Sequence, residues 1–185
     1  MKRDVIDKVI SSMGLLMTAV LLIASAALFF TASFISGEVK TQLGSQNISF
    51  PTKESAAFTS LSQESQDAIA PYAGQTMTTG AQAKVFADHY IAEHLEKIGG
   101  GKTYSELSAQ SMANPNDTAL AGKVETVFRG EMLRGVLLNA YAFGTMGLVA
   151  EFAAIGAAIA GAVLPIFSLL GFSHAKKVKK RTTKK

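Results

Sequence analysis

Two long apolar runs decide most of what this chain can fold into. The first, Val9 to Ser36 (VISSMGLLMTAVLLIASAALFFTASFIS), carries no charged residue over 28 positions, and about 20 helical residues cross a hydrocarbon layer roughly 30 Å thick. The second runs 39 residues from Gly135 to Ser173 with a single charge, Glu151. As one helix it would measure about 58 Å at about 1.5 Å per residue, so part of it must lie outside the lipid. No polar linker divides it, which argues against two crossings. Gly144 and Gly147 are the breakers near its middle, and Pro165 is tolerable as a kink in a membrane helix. The expected fold class is mainly α: a membrane protein whose two transmembrane helices form an antiparallel hairpin, with a mostly helical extracytoplasmic domain between them.

Basic residues favour the cytoplasmic side and fix the orientation. Lys2, Arg3 and Lys8 precede the first run, and the tail HAKKVKKRTTKK holds seven Lys or Arg and no acid. Residues 37–134 hold eight basic and eleven acidic side chains, a net of −3, so the formal +4 of the whole chain conceals an asymmetry. Both termini are expected in the cytoplasm of a cell-membrane protein, with the centre outside. The limits are a cytoplasmic N-terminus at 1–8, a first span at 9–36 and an extracytoplasmic domain at 37–134. An outer extension of the second helix follows at 135–150, then a second span at 151–174 and a basic tail at 175–185. Glu151 falls at the outer interface, because 24 steps back from Ala175 is about 36 Å of helix, slightly more than the hydrocarbon core. Lys176 and Lys177 then mark the inner boundary.

A lysine-rich run can bind nucleic acid, but directly after a span it serves as a topology anchor and a partner for anionic lipid head groups. Each basic residue near the surface is then worth about 1 kcal/mol. The expected partners are therefore the bilayer and its anionic head groups, with a membrane protein or a second copy possible and no nucleic acid. The rival for the first run is a cleavable signal peptide, given its basic start and Ala24 to Ala26. The run exceeds an h-region of roughly 7–15 residues, so a retained span is expected. With no cysteine in the chain, an exported domain holds together without disulfides.

Within the central region, NISF before Pro51 reads as a short extended piece, PYAG as a turn, and SLSQESQDAIA as a short helix. From Ala81 to Ile98 the pattern is helical, placing Ala83, Phe86, Ala87, Tyr90, Ile91, His94 and Ile98 on one face at about 100° per residue. Gly99 to Gly101 stop that helix. Thr103 and Glu106 form a capping box for the next. Asp117 or Thr118 caps a last long helix that continues into the second apolar run.

Several stretches imitate catalytic motifs. EKIGGGKT ends like a phosphate-binding loop, yet G-x-x-x-x-G-K-T requires glycine where Glu96 stands, and the loop follows a helix rather than a strand. DHYIAEH brings His89, Glu93 and His94 together, but zinc-binding histidines on a helix sit four apart and these sit five apart, so they diverge. GFSHA near Ser173 lacks the second glycine of a nucleophile elbow. Asn47 and Asn116 occupy N-x-S/T sequons. No catalytic, cofactor-binding or metal residue is assigned, and no cofactor is expected.

Small residues are more informative. Gly156 with Ala160, Ala157 with Gly161, and Gly14 with Thr18 recur at spacing four, alongside the run Ala24 to Ala27, and such pairs let helices approach closely in lipid.

The order NISFPTKES, PYAGQTMTTGAQAKVFADHYIAEHL, GGGKTYSEL, then RGVLLNAYAFG leading into a span, resembles a group of small two-pass membrane proteins of actinobacteria. The likeness covers about residues 5 to 165 and is most specific in GAQAKVFADHYIAEHL and GGKTYSEL. Members of that group often carry the label aromatic ring-opening dioxygenase. Such an enzyme needs an iron site, commonly two histidines and a carboxylate, and the expected topology puts His174 across the membrane from His89 and His94. The resemblance therefore implies the two-span layout and no mechanism.

The function expected is a non-enzymatic envelope role, with the external domain contacting a partner complex or cell-wall component through Tyr90, His94, Lys102, Tyr104 and Glu106. The alternatives are a metal-dependent, dioxygenase-like oxidoreductase using His89, Glu93 and His94 across a dimer, and a small transporter or channel subunit with Glu151 in its path.

Overall fold

The structure, a computed structural model, describes residues 3–182, with side chains described as far as Val178. The basic tail past Val178 therefore lies outside the described side chains. The chain is mainly helical, and the described residues hold no strand. Its elements are α1 (Arg3–Ser45), α2 (Ala56–Thr59), α3 (Gln63–Ile69), a 3₁₀ turn (Ala70–Tyr72), α4 (Gly80–Val85), a π turn (Phe86–Ile91), α5 (Ala92–Gly99), α6 (Tyr104–Ala113) and α7 (Thr118–Thr182). α1 and α7 are both long and apolar enough to cross a membrane. The chain divides into two compact units: Met1–Phe34 with Gly147–Lys185, and Ile35–Met146. Residues 135–146, an outer extension by sequence, fall in the second.

In the first unit, two apolar helical segments pack through small residues. Gly147, Ala154, Gly161, Ser168 and Ala175 recur every seven residues and are all buried, as are Ser11 and Ala32 on the facing segment. A seven-residue repeat keeps one seam between two helices that wind gently about each other. Ser11 Oγ occupies the space a Cβ on Gly171 would need, and Ser168 Oγ does the same at Gly14. A Cβ on Gly161 would meet Leu22 Cδ2 at 2.9 Å. Ser25 Oγ donates to Ala154 O at 2.8 Å, while Thr18 and Ser168 donate to Gly14 O and Leu164 O, both at 3.0 Å. These hydroxyls are thus satisfied by backbone carbonyls, as apolar surroundings require. Asp7 Oδ2 and His174 Nδ1 pair at 2.9 Å.

Spacing four located part of this seam. Gly14 and Gly161 lie on it and their partners Thr18 and Ala157 are half-buried, but the Gly156–Ala160 pair is not covered: a Cβ on Gly156 would touch nothing within 4 Å and Ala160 is exposed. The seven-residue period, not the four-residue pair, selects which small residues are covered. Replacing both Gly14 and Gly171 with valine should force the two segments apart, since each added side chain meets the facing helix at a typical cost of about 1–3 kcal/mol. In this cysteine-free chain, Ser25→Cys with Ala154→Cys should oxidise to an intramolecular disulfide, and the two valines should lower its yield severalfold.

The second unit is built on a core of Leu43, Phe50, Phe58, Leu61, Ile69, Met77, Ala83, Phe86, Ala87, Ile91, Leu95 and Leu137. Local signals place its short helices. Ser55, Ser62, Thr79 and Thr103 cap α2, α3, α4 and α6, and both threonine caps are reciprocal boxes with Gln82 and Glu106. Asp117 Oδ1 accepts the Leu120 N–H at 2.9 Å at the start of α7. The NISF piece pairs with the chain near Thr76 through a single bridge, Ser49 to Thr76, flanked by Phe50 N–H to Gln75 O at 2.9 Å and Met77 N–H to Ile48 O at 2.8 Å. Beyond α1, Asn47 takes a left-handed φ of 52°, a conformation asparagine tolerates at a helix end.

The run Gly80–Gly99 departs from the straight helix read in the sequence. Five of its eight buried positions, Ala83, Ala87, Ile91, Leu95 and Gly99, recur every four residues, with Gly80, Gln82 and Phe86 beside the stripe's start. In an α-helix each such step drifts by about 40°, so the stripe would leave the core within a few turns. The π turn at Phe86–Ile91 holds more residues per turn and brings the stripe back. Leu95 is consequently 7% exposed and Ile98 37%, where the straight helix put Ile98 inward.

Candidate functional site

The surface around α5, the glycine loop and the start of α6 contains the residues singled out by sequence. Glu93 is its most engaged group. Ser62 donates both its backbone N–H, at 2.7 Å, and its hydroxyl, at 2.9 Å, to the carboxylate, and Lys97 Nζ lies 2.8 Å away. Lys97 also reaches Ser60 O at 2.7 Å. Glu93 therefore supplies a cap to α3 and ties it to α5. Burial pushes its carboxyl up, but the hydrogen bonds from Lys97, Ser65 and Ser62 outweigh that and hold it down at about 2.

His89 and His94 do not join it. His94 Nδ1 lies 2.7 Å from Tyr90 O, and its ring packs 4.5 Å from that of Tyr90. Tyr90 in turn packs at 4.7 Å on Phe86, Phe86 at 5.3 Å on Phe50, and Phe50 at 5.4 Å on Tyr72. Tyr90 and His94 are half-buried members of this ring chain, which signals packing more than contact with a partner. Among the described residues, no cluster of three or more His, Asp or Glu side chains could hold a metal ion.

Lys102, Tyr104 and Glu106 are exposed. Lys102 Nζ donates to Gln110 Oε1 at 2.9 Å. Glu106 is fixed by Thr103, whose N–H and hydroxyl both lie 2.8 Å from Oε2, and these bonds hold its carboxyl below the usual range. Tyr104 stacks 5.4 Å from Phe128, and both rings are exposed, at 39% and 46%. The loop resembling a phosphate cradle has no free amides to offer. Gly100, Gly101 and Lys102 N–H groups go to Lys97 O, Glu96 O and Gly99 O, and Gly100 and Gly101 hold left-handed φ of 63° and 76° to do so. That geometry terminates a helix.

Sequence reasoning missed Asp88 and Arg134. Lys84 and Arg134 both contact Asp88, Arg134 Nη2 at 3.2 Å. Lys84, hydrogen-bonded to Asp88, holds that carboxyl below its ordinary value, and Asp88 raises the Lys84 ammonium in return. The four-residue spacing of Lys84 and Asp88 was legible; Arg134, 46 positions further on, was not. Glu151, Lys176 and Lys177, the residues expected at the membrane boundaries, are all exposed.

Fold and site together define a mainly helical protein with two helices long and apolar enough to cross a membrane. Comparison with models of protein families, with curated proteins and with solved structures finds no match.

Proposed function

We propose that this chain is a two-pass integral membrane protein whose spans form an antiparallel hairpin. Both termini lie in the cytoplasm and unit Ile35–Met146 lies outside, contacting a partner membrane complex or a cell-wall component without catalysing a reaction. The observation that carries the membrane assignment is the exposure of large apolar side chains on the first unit, with Ile23 and Phe152 72% exposed and Phe30 74%. Water-exposed apolar surface of this extent is unfavourable by about 25 cal/mol per Å², and lipid removes that cost. The pairs Asp7–His174, Ser11–Gly171, Gly14–Ser168 and Ser25–Ala154 support the hairpin, because one number rises as the other falls. In this reading Glu151 sits at the outer interface and Lys176 and Lys177 at the inner one, beside anionic head groups.

The contact surface is the exposed Lys102, Tyr104 and Glu106 edge with the adjoining Phe128. Apolar patches left in water on an otherwise packed unit mark interaction sites. Tyr90 and His94 contribute by holding α5 in place.

Two measurements test the proposal. A membrane-impermeant maleimide should label Lys53→Cys in intact cells and Lys177→Cys only after lysis; labelling of Lys177→Cys in intact cells would overturn the topology. A photo-crosslinker at Tyr104 in native membranes should give adducts with another membrane protein or wall material, and recovery of self-contacts alone would sink the partner role.

A further inference from the structure

One face of α7 is apolar and uncovered within unit Ile35–Met146. Met132, Val136, Phe143 and Met146 are between 56% and 59% exposed, and Asn139 among them is exposed as well. At about 100° per residue these five positions fall within about 80° of arc. The opposite side of the helix carries Leu137, which is buried, with Arg134 and Tyr141 half-buried beside it. The stripe is therefore not used by the fold of a single chain.

Its spacing and its one polar group say what fits it. The five positions are separated by four, three, four and three residues, the alternation of a coiled-coil seam, in which two helices lay matching stripes into each other. Asn139 has no side-chain hydrogen bond among the described residues. Its amide both donates and accepts. Covered by a purely apolar surface it would be left unpaired, whereas the same residue of a second copy offers it a donor and an acceptor at once. A two-fold axis also sets like residues side by side, so a self-contacting face must avoid net charge. The one charged residue between Met132 and Met146 is Arg134, and it is turned away to Asp88.

Lipid does not cover this stripe in the topology proposed above. Val136 precedes Glu151 by 15 residues, about 23 Å of helix on the outer side of the interface. Copies inserted in the same orientation present α7 in parallel, which brings each stripe position opposite itself.

We infer that two copies of this chain pair in parallel through the Met132–Met146 stripe of α7, with Asn139 meeting Asn139 of the second copy. The inference rests on the two-pass reading for its parallel alignment, and it assigns a face that reading leaves without an occupant.

Oxidative crosslinking of the full-length protein in native membranes tests it. In this chain without cysteine, Val136→Cys and Phe143→Cys should each give a disulfide-linked homodimer. Thr145→Cys, at an exposed position about 160° around the helix from Phe143, should give at least fivefold less. Adding Asn139→Asp to Phe143→Cys sets two carboxylates against each other and should lower the yield severalfold, while Asn139→Gln, which keeps an amide, should retain most of it. Asn139 is exposed in the single chain, so neither change disturbs its folding. Equal yields from Thr145→Cys and Phe143→Cys overturn the inference, as does a Phe143→Cys yield indifferent to Asn139→Asp, or an adduct with another protein in place of the homodimer. Lys53→Cys and Lys177→Cys labelled as the topology requires, with no homodimer, would leave the topology standing and remove the pairing alone. Lys177→Cys labelled in intact cells, with the homodimer still formed, would remove the topology and keep the pairing.

Discussion

Gly80→Val is expected to unfold or loosen unit Ile35–Met146. A Cβ on Gly80 would lie 2.8 Å from Ala140 O, 3.0 Å from Tyr141 Cα and 3.3 Å from Gly144 Cα. All three are backbone atoms of a helix and cannot rotate aside. Overpacking of this kind costs typically about 1–3 kcal/mol, and a branched side chain against backbone belongs at the top of that range. Since domains are stable by only about 5–15 kcal/mol, the loss would be visible as faster amide exchange and proteolysis across residues 80–99. Gly144→Ala should be milder, because its Cβ would meet Gly80 Cα at 3.3 Å, a contact relieved by a few tenths of an ångström. Equal effects from the two changes would contradict this packing.

Glu93→Ala should detach α3 from α5. The carboxylate accepts two hydrogen bonds from Ser62 and pairs with Lys97, and its side chain is 13% exposed. Charge-assisted bonds of this kind contribute about 1.5–3 kcal/mol each at most, and not additively, so a net loss of about 2–3 kcal/mol is expected. Hydrogen exchange at the Ser62 amide should accelerate accordingly. The pH dependence has a definite sign. The carboxyl of Glu93 is held at about 2 in the folded protein against an ordinary 4.5. Its contribution is therefore full above pH 4.5 and lost as the pH falls towards 2. Unfolding followed across that window should show a fall in stability that Glu93→Gln flattens; an unchanged slope would mean that Glu93 is not ionised in this network.

Glu93 also illustrates what a sequence conceals. In DHYIAEH it reads as one face of an incomplete metal motif, because its neighbours in sequence are histidines. Its partner in space is Ser62, 31 residues earlier, and no local pattern connects them. Arg134 was hidden in the same way, as one of several charges near the start of an apolar run, until Asp88 gave it a place. Ile98 was expected on the inward face, where Leu95 sits instead, because periodicity at 3.6 residues per turn cannot anticipate a π turn.

What the sequence determined by itself is local or compositional. The apolar runs ensure two long helices, because a helix satisfies its own backbone hydrogen bonds in an apolar medium. Thr103 with Glu106, Asp117, and Gly100 with Gly101 set helix ends, because caps act within four residues. Tertiary structure alone decided which small residues are covered, where the helix bearing Phe86 unwinds into a π turn, and which charges meet across the unit. Those outcomes depend on contacts between segments far apart in the chain, where packing against a specific neighbour outweighs the preferences of any single residue.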